Sequence, residues 1–380
     1  MLLSGDGGGF PFAFLLLNKE GIANNVAAKG KQSGKHRPMV THSDFLILHE
    51  FPSREIEAKW REFLEDVECP AHFNAPEYFV EPYWDGKRPF AILALHQSRV
   101  VGVLTGVHEG EETVSGLQSR PQVCLAKSAD PAIVGDALAR GLLAEAGNSR
   151  LITLYGWNWT PLDALKKYRF RRREMEGCVV LDCTLGAEAL FKQFSKTRRY
   201  NIRLAMREGV EVFQATTREE FQTYYEIYLS WCRRKNITPF PYEMEEKAFF
   251  ATRNNRRLFL ARSSGKIIAG SIIRFFPGGL SEYARNNSLP EFLRLNPNDL
   301  IQWRAIEWLC QQGIQRHSMG GAHAFLQKFG GVMTPIYRYR LDRTLLRRHD
   351  LREALRDRGR ATLKKLPAPV EKAARRFLGA

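Results

Sequence analysis

The chain has 380 residues, a hydrophobic fraction of 44% and a formal net charge of +16. These values exclude a disordered polyelectrolyte and leave room for two domains of ordinary size. The basic excess implies anionic partners such as nucleotides, nucleic acid or an anionic membrane surface, with a simply solvated basic surface as the plainer alternative.

The N-terminal apolar run Phe10–Leu17 is too short to span a bilayer and lacks a basic segment before it, which argues against a signal peptide. Gly7–Gly9 and Ala27–Ser43 read as flexible, so residues 1–44 form a leader, with Met39 close before the first strand. Phe45–His49 reads as a strand. Ser53–Val67 has helical spacing, with Ile56, Trp60, Phe63, Leu64 and Val67 on one face. Phe90–His96 and Val100–Val107 form a hairpin around Gln97-Ser98-Arg99. Asp130-Pro131 starts a helix to Ala146. Leu151–Tyr155 is a strand, Pro161–Tyr168 a short helix and Cys178–Cys183 a closing strand. Trp157 and Trp159 sit at a cleft edge, where stacking on a ligand ring competes with core packing. Six scattered cysteines, none in CxxC spacing, imply reduced core thiols and a cytoplasmic protein without a metal site.

The element order then repeats. Phe191–Val212 reads as a basic helix entering a strand, with Arg199 and Arg203 four apart on one face, suited to phosphate or carboxylate or to neighbouring acids. Thr217–Arg234 is a long aromatic helix and Tyr242–Thr252 a second. Arg257–Ala261, Ile267–Phe276 and Leu280–Asn286 are strands, Asn298–Gln312 is a helix stopped by Gly313, and Ile314–Ser318 and Thr334–Arg340 are strands. From Leu341 to residue 380 the chain is a basic tail with leucines at helical spacing. It is read as a helix packed on its own domain, or else one lying on anionic lipid or RNA.

Two segments carry a family resemblance. Lys196, Arg198, Tyr200, Asn201, Ile202, Arg203, Ala205, Gly209 and Val210 stand in the linker, and Pro297, Asn298, Leu300, Trp303, Ala305 and Ile306 in the following helix. Together they resemble the FemAB-related and BioF2-like acyltransferases of the GNAT superfamily. The resemblance implies an α/β fold of mixed sheets with tandem GNAT domains at 45–190 and 191–340, with 191–209 as linker helix. It also implies direct N-acyl transfer from an acyl-CoA, acetyl-CoA first among them, to an amine. An amino sugar or a precursor of the cell envelope or of an exopolysaccharide would be the acceptor, at the inner face of the membrane.

Acyl transfer to an amine needs a held donor, a proton acceptor and a stabilised oxyanion. On the resemblance, Glu282 and Tyr283 are the catalytic candidates, as base and as donor to the leaving group. Asn296, Asn298 and Trp303 would contact the cofactor. Arg199, Arg203, Asn286, Phe325 and Lys328 would line the substrate site. The family's Gly-rich turn before the helix is replaced by Asn296-Pro297-Asn298-Asp299, and Leu326 and Ser318 stand where a Lys and an Asp are common. Leu326 and Ser318 count against charged tRNA, the donor of peptidoglycan-modifying relatives, and leave acyl-CoA ahead, whereas the missing Gly pair and Asp299 count against tight CoA binding in this half. A non-catalytic adaptor for nucleic acid or a membrane surface is a third reading.

Overall fold

In the computed structural model, residues 40–41, 44–84, 86–251 and 255–363 are described. The apolar run Phe10–Leu17, the start at Met39 and the prolines Pro367 and Pro369 lie outside them.

The first half opens with β1 (Val40–Thr41), β2 (Phe45–Leu48) and α1 (Arg54–Glu65). Three short 3-10 turns follow between His72 and Trp84, started by or next to prolines that fix φ. Then come β3 (Arg88–His96), β4 (Arg99–Glu109), β5 (Glu112–Ser115), β6 (Val123–Leu125), α2 (Pro131–Ala146), β7 (Leu151–Trp157) and β8 (Arg171–Asp182). The β3–β4 hairpin turns on Gln97 and Ser98, both at positive φ (49° and 65°), the twist that suits a two-residue connection. Asp130 caps α2 through Ala132 N at 2.8 Å.

The second half holds α3 (Ala187–Gln193), α4 (Lys196–Arg207), β9 (Glu211–Gln214), α5 (Arg218–Lys235), α6 (Tyr242–Ala251), β10 (Arg256–Ser263), β11 (Lys266–Phe275) and β12 (Leu280–Ser288). It continues with α7 (Pro297–Gln311), β13 (Arg316–Ser318), α8 (Ala324–Gln327), β14 (Val332–Asp342) and α9 (Arg348–Leu363). Thr217 and Glu220 close a reciprocal capping box at the start of α5.

All fourteen strands form one continuous sheet, in the order β1-β2-β3-β4-β5-β7-β14-β8-β13-β12-β11-β10-β9, with β6 added to β4. Two pairs are parallel, β5 with β7 and β12 with β13, and each is joined through a helix, α2 and α7. Every other pairing is antiparallel. The repeat of strand, helix, parallel strand seen in the sequence is therefore a repeat in space. Helices cover both faces. In the first half α2 buries Val134, Leu138 and Leu142 on one face and α1 buries Trp60, Phe63 and Leu64 on the other. In the second half α4 and α7 pack on one face through Ile202, Leu300 and Ile306, and α5 and α6 on the other through Phe221, Tyr224 and Phe249. Fully burying one such side chain stabilises the fold by about 1.5–3 kcal/mol.

One expectation is corrected here. The strand read at Thr334–Arg340 was assigned to the second domain, but β14 lies between β7 and β8 of the first. Its Ile336 and Tyr339 are buried against first-half residues. Chain order gave the wrong neighbour because the strand returns across the junction. Gly177 permits the return. It holds φ 79° at the bulge opposite Thr334, and a Cβ there would come within 2.1 Å of the Thr334 carbonyl oxygen. β8 itself serves both halves, since Val180–Asp182 pair with β13. The division at residue 190 separates the chain but not the sheet.

Candidate active site

The proline-rich turns between His72 and Trp84 pass beneath the first-half sheet and press polar side chains into the junction. Asn74 Oδ1 accepts from Ala71 N at 2.9 Å and fixes the first turn. His72, Glu81 and Arg256 are only 3%, 2% and 2% exposed. Glu81 accepts two bonds from Arg256 Nη2, at 2.6 and 2.7 Å, and its Oε1 lies 2.5 Å from His72 Nε2. Burial alone would raise the Glu81 pKa, but Arg256 and His72 outweigh it and hold it near 2. A carboxylate at that pKa puts the proton on His72 Nε2. Burial also lowers the His72 pKa, so the ring is neutral. Its Nδ1 is then a lone-pair acceptor, buried and without a hydrogen-bond partner.

The Glu81 pairing ties stability to pH. Its folded pKa, about 2, lies below the ordinary 4.5. The stabilisation is present above the unfolded value and is lost as pH falls from 4.5 toward 2, by about 3 kcal/mol in all. An acid titration followed by circular dichroism is expected to show unfolding in this window. The Glu81→Gln variant is expected to lose part of that pH dependence.

A second ion set lies beside the first. Glu282 of β12 is held by Arg120 Nε at 2.8 Å and by Arg274. The Phe73 ring sits with Arg120 at 4.8 Å and Arg274 at 5.0 Å from its centre. Arg285 donates to Glu245 at 2.6 Å. Arg120, Arg256, Arg274 and Arg285 with Tyr83 and Phe240 line a cavity of about 40 Å³. Next to it, His72, Phe73, Ser281, Glu282 and Ser318 line one of about 10 Å³, which is about one water. Four guanidiniums face three carboxylates, which leaves one positive charge in excess. Burial first, and then the neighbouring Arg120, lower the Arg274 pKa to about 10 against the opposing pull of Glu282.

The parallel strand pairs open on either side. β12 and β13 pair only over Leu280–Glu282 and Arg316–Ser318, after which β12 continues to Ser288 paired on its β11 side alone. The start of α7 fills the gap beyond. Asn296 adopts φ 52° and makes no side-chain cap, and Asn298 Nδ2 reaches Ser288 Oγ at 3.3 Å. Asp299 is buried at the helix start, paired with Arg198 and bonded by Asn201 Nδ2 at 2.7 Å. Its carboxylate takes the place an anionic ligand would need. In the first half, β5 and β7 part after Ser115 and Leu154. There a roomier cleft of about 290 Å³ lies along Val123–Lys127, the start of α2, and Trp157, Trp159 and Thr160. The two indoles stack at 4.6 Å, and Arg316 lies 4.4 Å over Trp159.

A strand that leaves its parallel neighbour ahead of a crossing helix is the shape of an acyl-transfer fold, and comparison agrees. The acetyltransferase (GNAT) domain family matches residues 192–328. That stretch is a GNAT domain. Over 79% of its length the chain has the fold of FemX, with TM-score 0.60 at 14% identity over 97% of that chain. It also resembles L-PGS from Bacillus licheniformis, with TM-score 0.52 at 14% identity over 78% and 93%. A third likeness is to the C-terminal domain of a candidate lysylphosphatidylglycerol synthetase from Agrobacterium fabrum, with TM-score 0.55 at 12% identity over 80% and 96%. No curated protein matches the chain in sequence. The GNAT match ends at Lys328, before β14, in keeping with that strand's place in the other half.

Within the GNAT domain the expected site residues do not converge. Glu282 faces the junction, but two arginines hold its pKa below the ordinary value despite burial, and a carboxylate so held is a weak proton acceptor. Tyr283 turns to the opposite face. There burial raises its pKa, and Asn286 is its hydrogen-bonding neighbour. Trp303 is core, 4.6 Å from Phe191 and 5.6 Å from Phe194, rather than a cofactor contact. Asn296 and Asn298 flank a helix start already taken by Asp299, so the cofactor contact expected of them has no anion pocket to serve. Arg199 bonds Lys192 O at 2.9 Å, and Arg203 is exposed beside Phe191. The inward arginine of α4 is Arg198, 3.8 Å over Phe325 and 5.4 Å from Phe329. Lys328 is exposed and Leu326 is buried. Ser281, His317 and Gln302 form a chain of 2.8 and 3.0 Å. Burial holds His317 near pKa 3, and both of its ring nitrogens are already bonded, to Ser281 and to Gln302, so it offers no free lone pair.

Sequence reasoning missed His72, Glu81, Arg120, Arg256, Arg274 and Arg285. A signal was present. Arg274 stands among Ile272, Ile273 and Phe275, and a charge inside an apolar strand marks a buried pairing. Among the described residues no cluster of three or more His, Cys, Asp or Glu is placed to hold a metal ion, and no helix is long and apolar enough to cross a membrane.

Proposed function

We propose that the protein is an N-acyltransferase whose acceptor amine also carries a carboxylate or phosphate. The observation behind this reading is the buried junction cluster, with positive charge in excess beside the unpartnered His72 Nδ1. The acceptor's anion is held at Arg120 and Arg274, which Glu282 orients, once the turns around His72 part to admit it, because the closed cavities of about 10 and 40 Å³ are too small for it. The amine nitrogen attacks the acyl carbonyl and a C–N bond forms. The N–H proton passes to His72 Nδ1, the bond from the acyl carbon to the donor's sulfur or oxygen breaks, and that leaving atom takes up the proton from His72 as a thiol or hydroxyl. An amino sugar phosphate, or another amine-bearing anionic precursor of the cell envelope or of an exopolysaccharide, meets the acceptor's requirements. The place of action is the cytoplasm, at the inner face of the membrane.

The donor is an acyl-CoA, with acetyl-CoA the first to try and the first-half cleft of about 290 Å³ offering it room. A second reading, an aminoacyl-tRNA donor, draws on the α7 start filled by Asp299, which leaves the GNAT domain no diphosphate cradle. Calorimetric and thermal-shift titration with acetyl-CoA and longer acyl-CoAs, with free CoA as control, separates the two. Saturable binding is expected, with stabilisation of about 2.7 kcal/mol at a ligand excess of about 100 Kd. Absence of binding, together with salt-sensitive binding of charged tRNA, would transfer the role to tRNA. Absence of both would leave the adaptor reading.

A further inference from the structure

The last helix presents its charges in an unusual order. Its acids face inward. Glu353 pairs with Arg173, Arg338 and Arg340 at 2.6–2.7 Å. Asp357 pairs with Arg173 at 2.7 Å and Asp350 with Arg171 at 3.4 Å. Positions 350, 353 and 357 share one face of α9, so the opposite face keeps no acid. That outer face carries Leu351 and Leu355, 51% and 57% exposed, flanked by Arg348, Arg352 and Arg356. The turn before it adds Leu345 and Leu346, 86% and 82% exposed, beside Arg343 and Arg347.

The turn is also strained. Leu346 and Arg347 hold φ of 57° and 48°, a region costly for branched and bulky residues. The strain is not repaid by burial, because it points both leucines at solvent. Asp342 fixes the arrangement by accepting from Thr344 N, His349 N and Asp350 N at 2.9–3.0 Å.

We infer that this face docks on an anionic lipid bilayer, the leucines entering the headgroup boundary and the arginines pairing with lipid phosphates. Charge complementarity selects the occupant. A second copy would set arginine against arginine. A nucleic acid would satisfy the arginines and leave four leucines in water. Only an anionic interface takes both.

The test is co-sedimentation of the full chain with vesicles of phosphatidylcholine alone and of phosphatidylcholine with phosphatidylglycerol at about three to one. Binding to the anionic vesicles is expected and should weaken with salt. Leu345→Asp with Leu346→Asp, and separately Arg352→Glu with Arg356→Glu, should each lower it at least roughly tenfold. All four side chains are exposed, so an unchanged melting curve is expected for both variants. No binding to anionic vesicles, or equal binding by the leucine variant, would overturn the inference. So would a lipid-free dimer in light scattering that the leucine variant dissolves. Acyl transfer to a soluble acceptor does not depend on any of these outcomes.

Discussion

Arg256→Met is expected to lower stability by about 3–5 kcal/mol, the largest loss among changes at the junction. The variant leaves the Glu81 carboxylate in a site where both partners are 2% exposed, with only His72 to compensate it. The arginine also joins the halves, since Glu81 belongs to the first and β10 to the second. Urea unfolding should show the midpoint falling with little change in slope. The double variant Glu81→Gln with Arg256→Met should recover much of the loss, because no charge is then stranded. A double variant as unstable as the single would mean that the arginine stabilises through packing and not through the pair.

His72→Gln is the second. Glutamine can place its Nε2 donor at Glu81 where the ring Nε2 stood, and it has no basic nitrogen to take a proton at the Nδ1 position, so the local structure should persist. On the proposed mechanism kcat falls by about 10²–10⁴ while KM stays within about threefold. Because burial lowers the His72 pKa, the parent should work at a constant rate through neutral pH and slow only in acid, as the ring takes a proton. That acid limb should disappear in the variant. A parallel loss in kcat and in thermal stability would mark His72 as a structural partner of Glu81 and nothing more.

Hydrophobic periodicity made most of the scaffold legible. The α1 stripe at Trp60, Phe63 and Leu64, the Asp130-Pro131 helix start and the capping box at Thr217 appear where local chemistry puts them. The repeated order of elements was enough to expect two copies of one fold. The junction was not legible. His72 and Glu81 lie in proline-rich turns with no period, and Arg256 reaches Glu81 across 175 positions. Pairings of that separation leave no local pattern. Glu282 was found because it sits on the strand that a GNAT resemblance singles out. Its two arginines were not, and they change what it can do. Arg198 illustrates the same limit. It differs from Arg199 by one step around α4, and that step decides between a buried pair with Asp299 and a half-buried side chain bonded to Lys192 O.

The placement of β14 also bears on how the chain is made. β7 and β8 are synthesised early, yet each lacks a neighbour until residues 332–342 have emerged. Such distant pairing is slow, because the entropy of closing a very long loop is spent before any contact forms. The first half therefore waits on the ribosome with two unsatisfied edges, a state open to aggregation and to capture by chaperones. Once the strand arrives, it closes the sheet across both repeats together. Two repeats that share one sheet through this strand are therefore expected to unfold together.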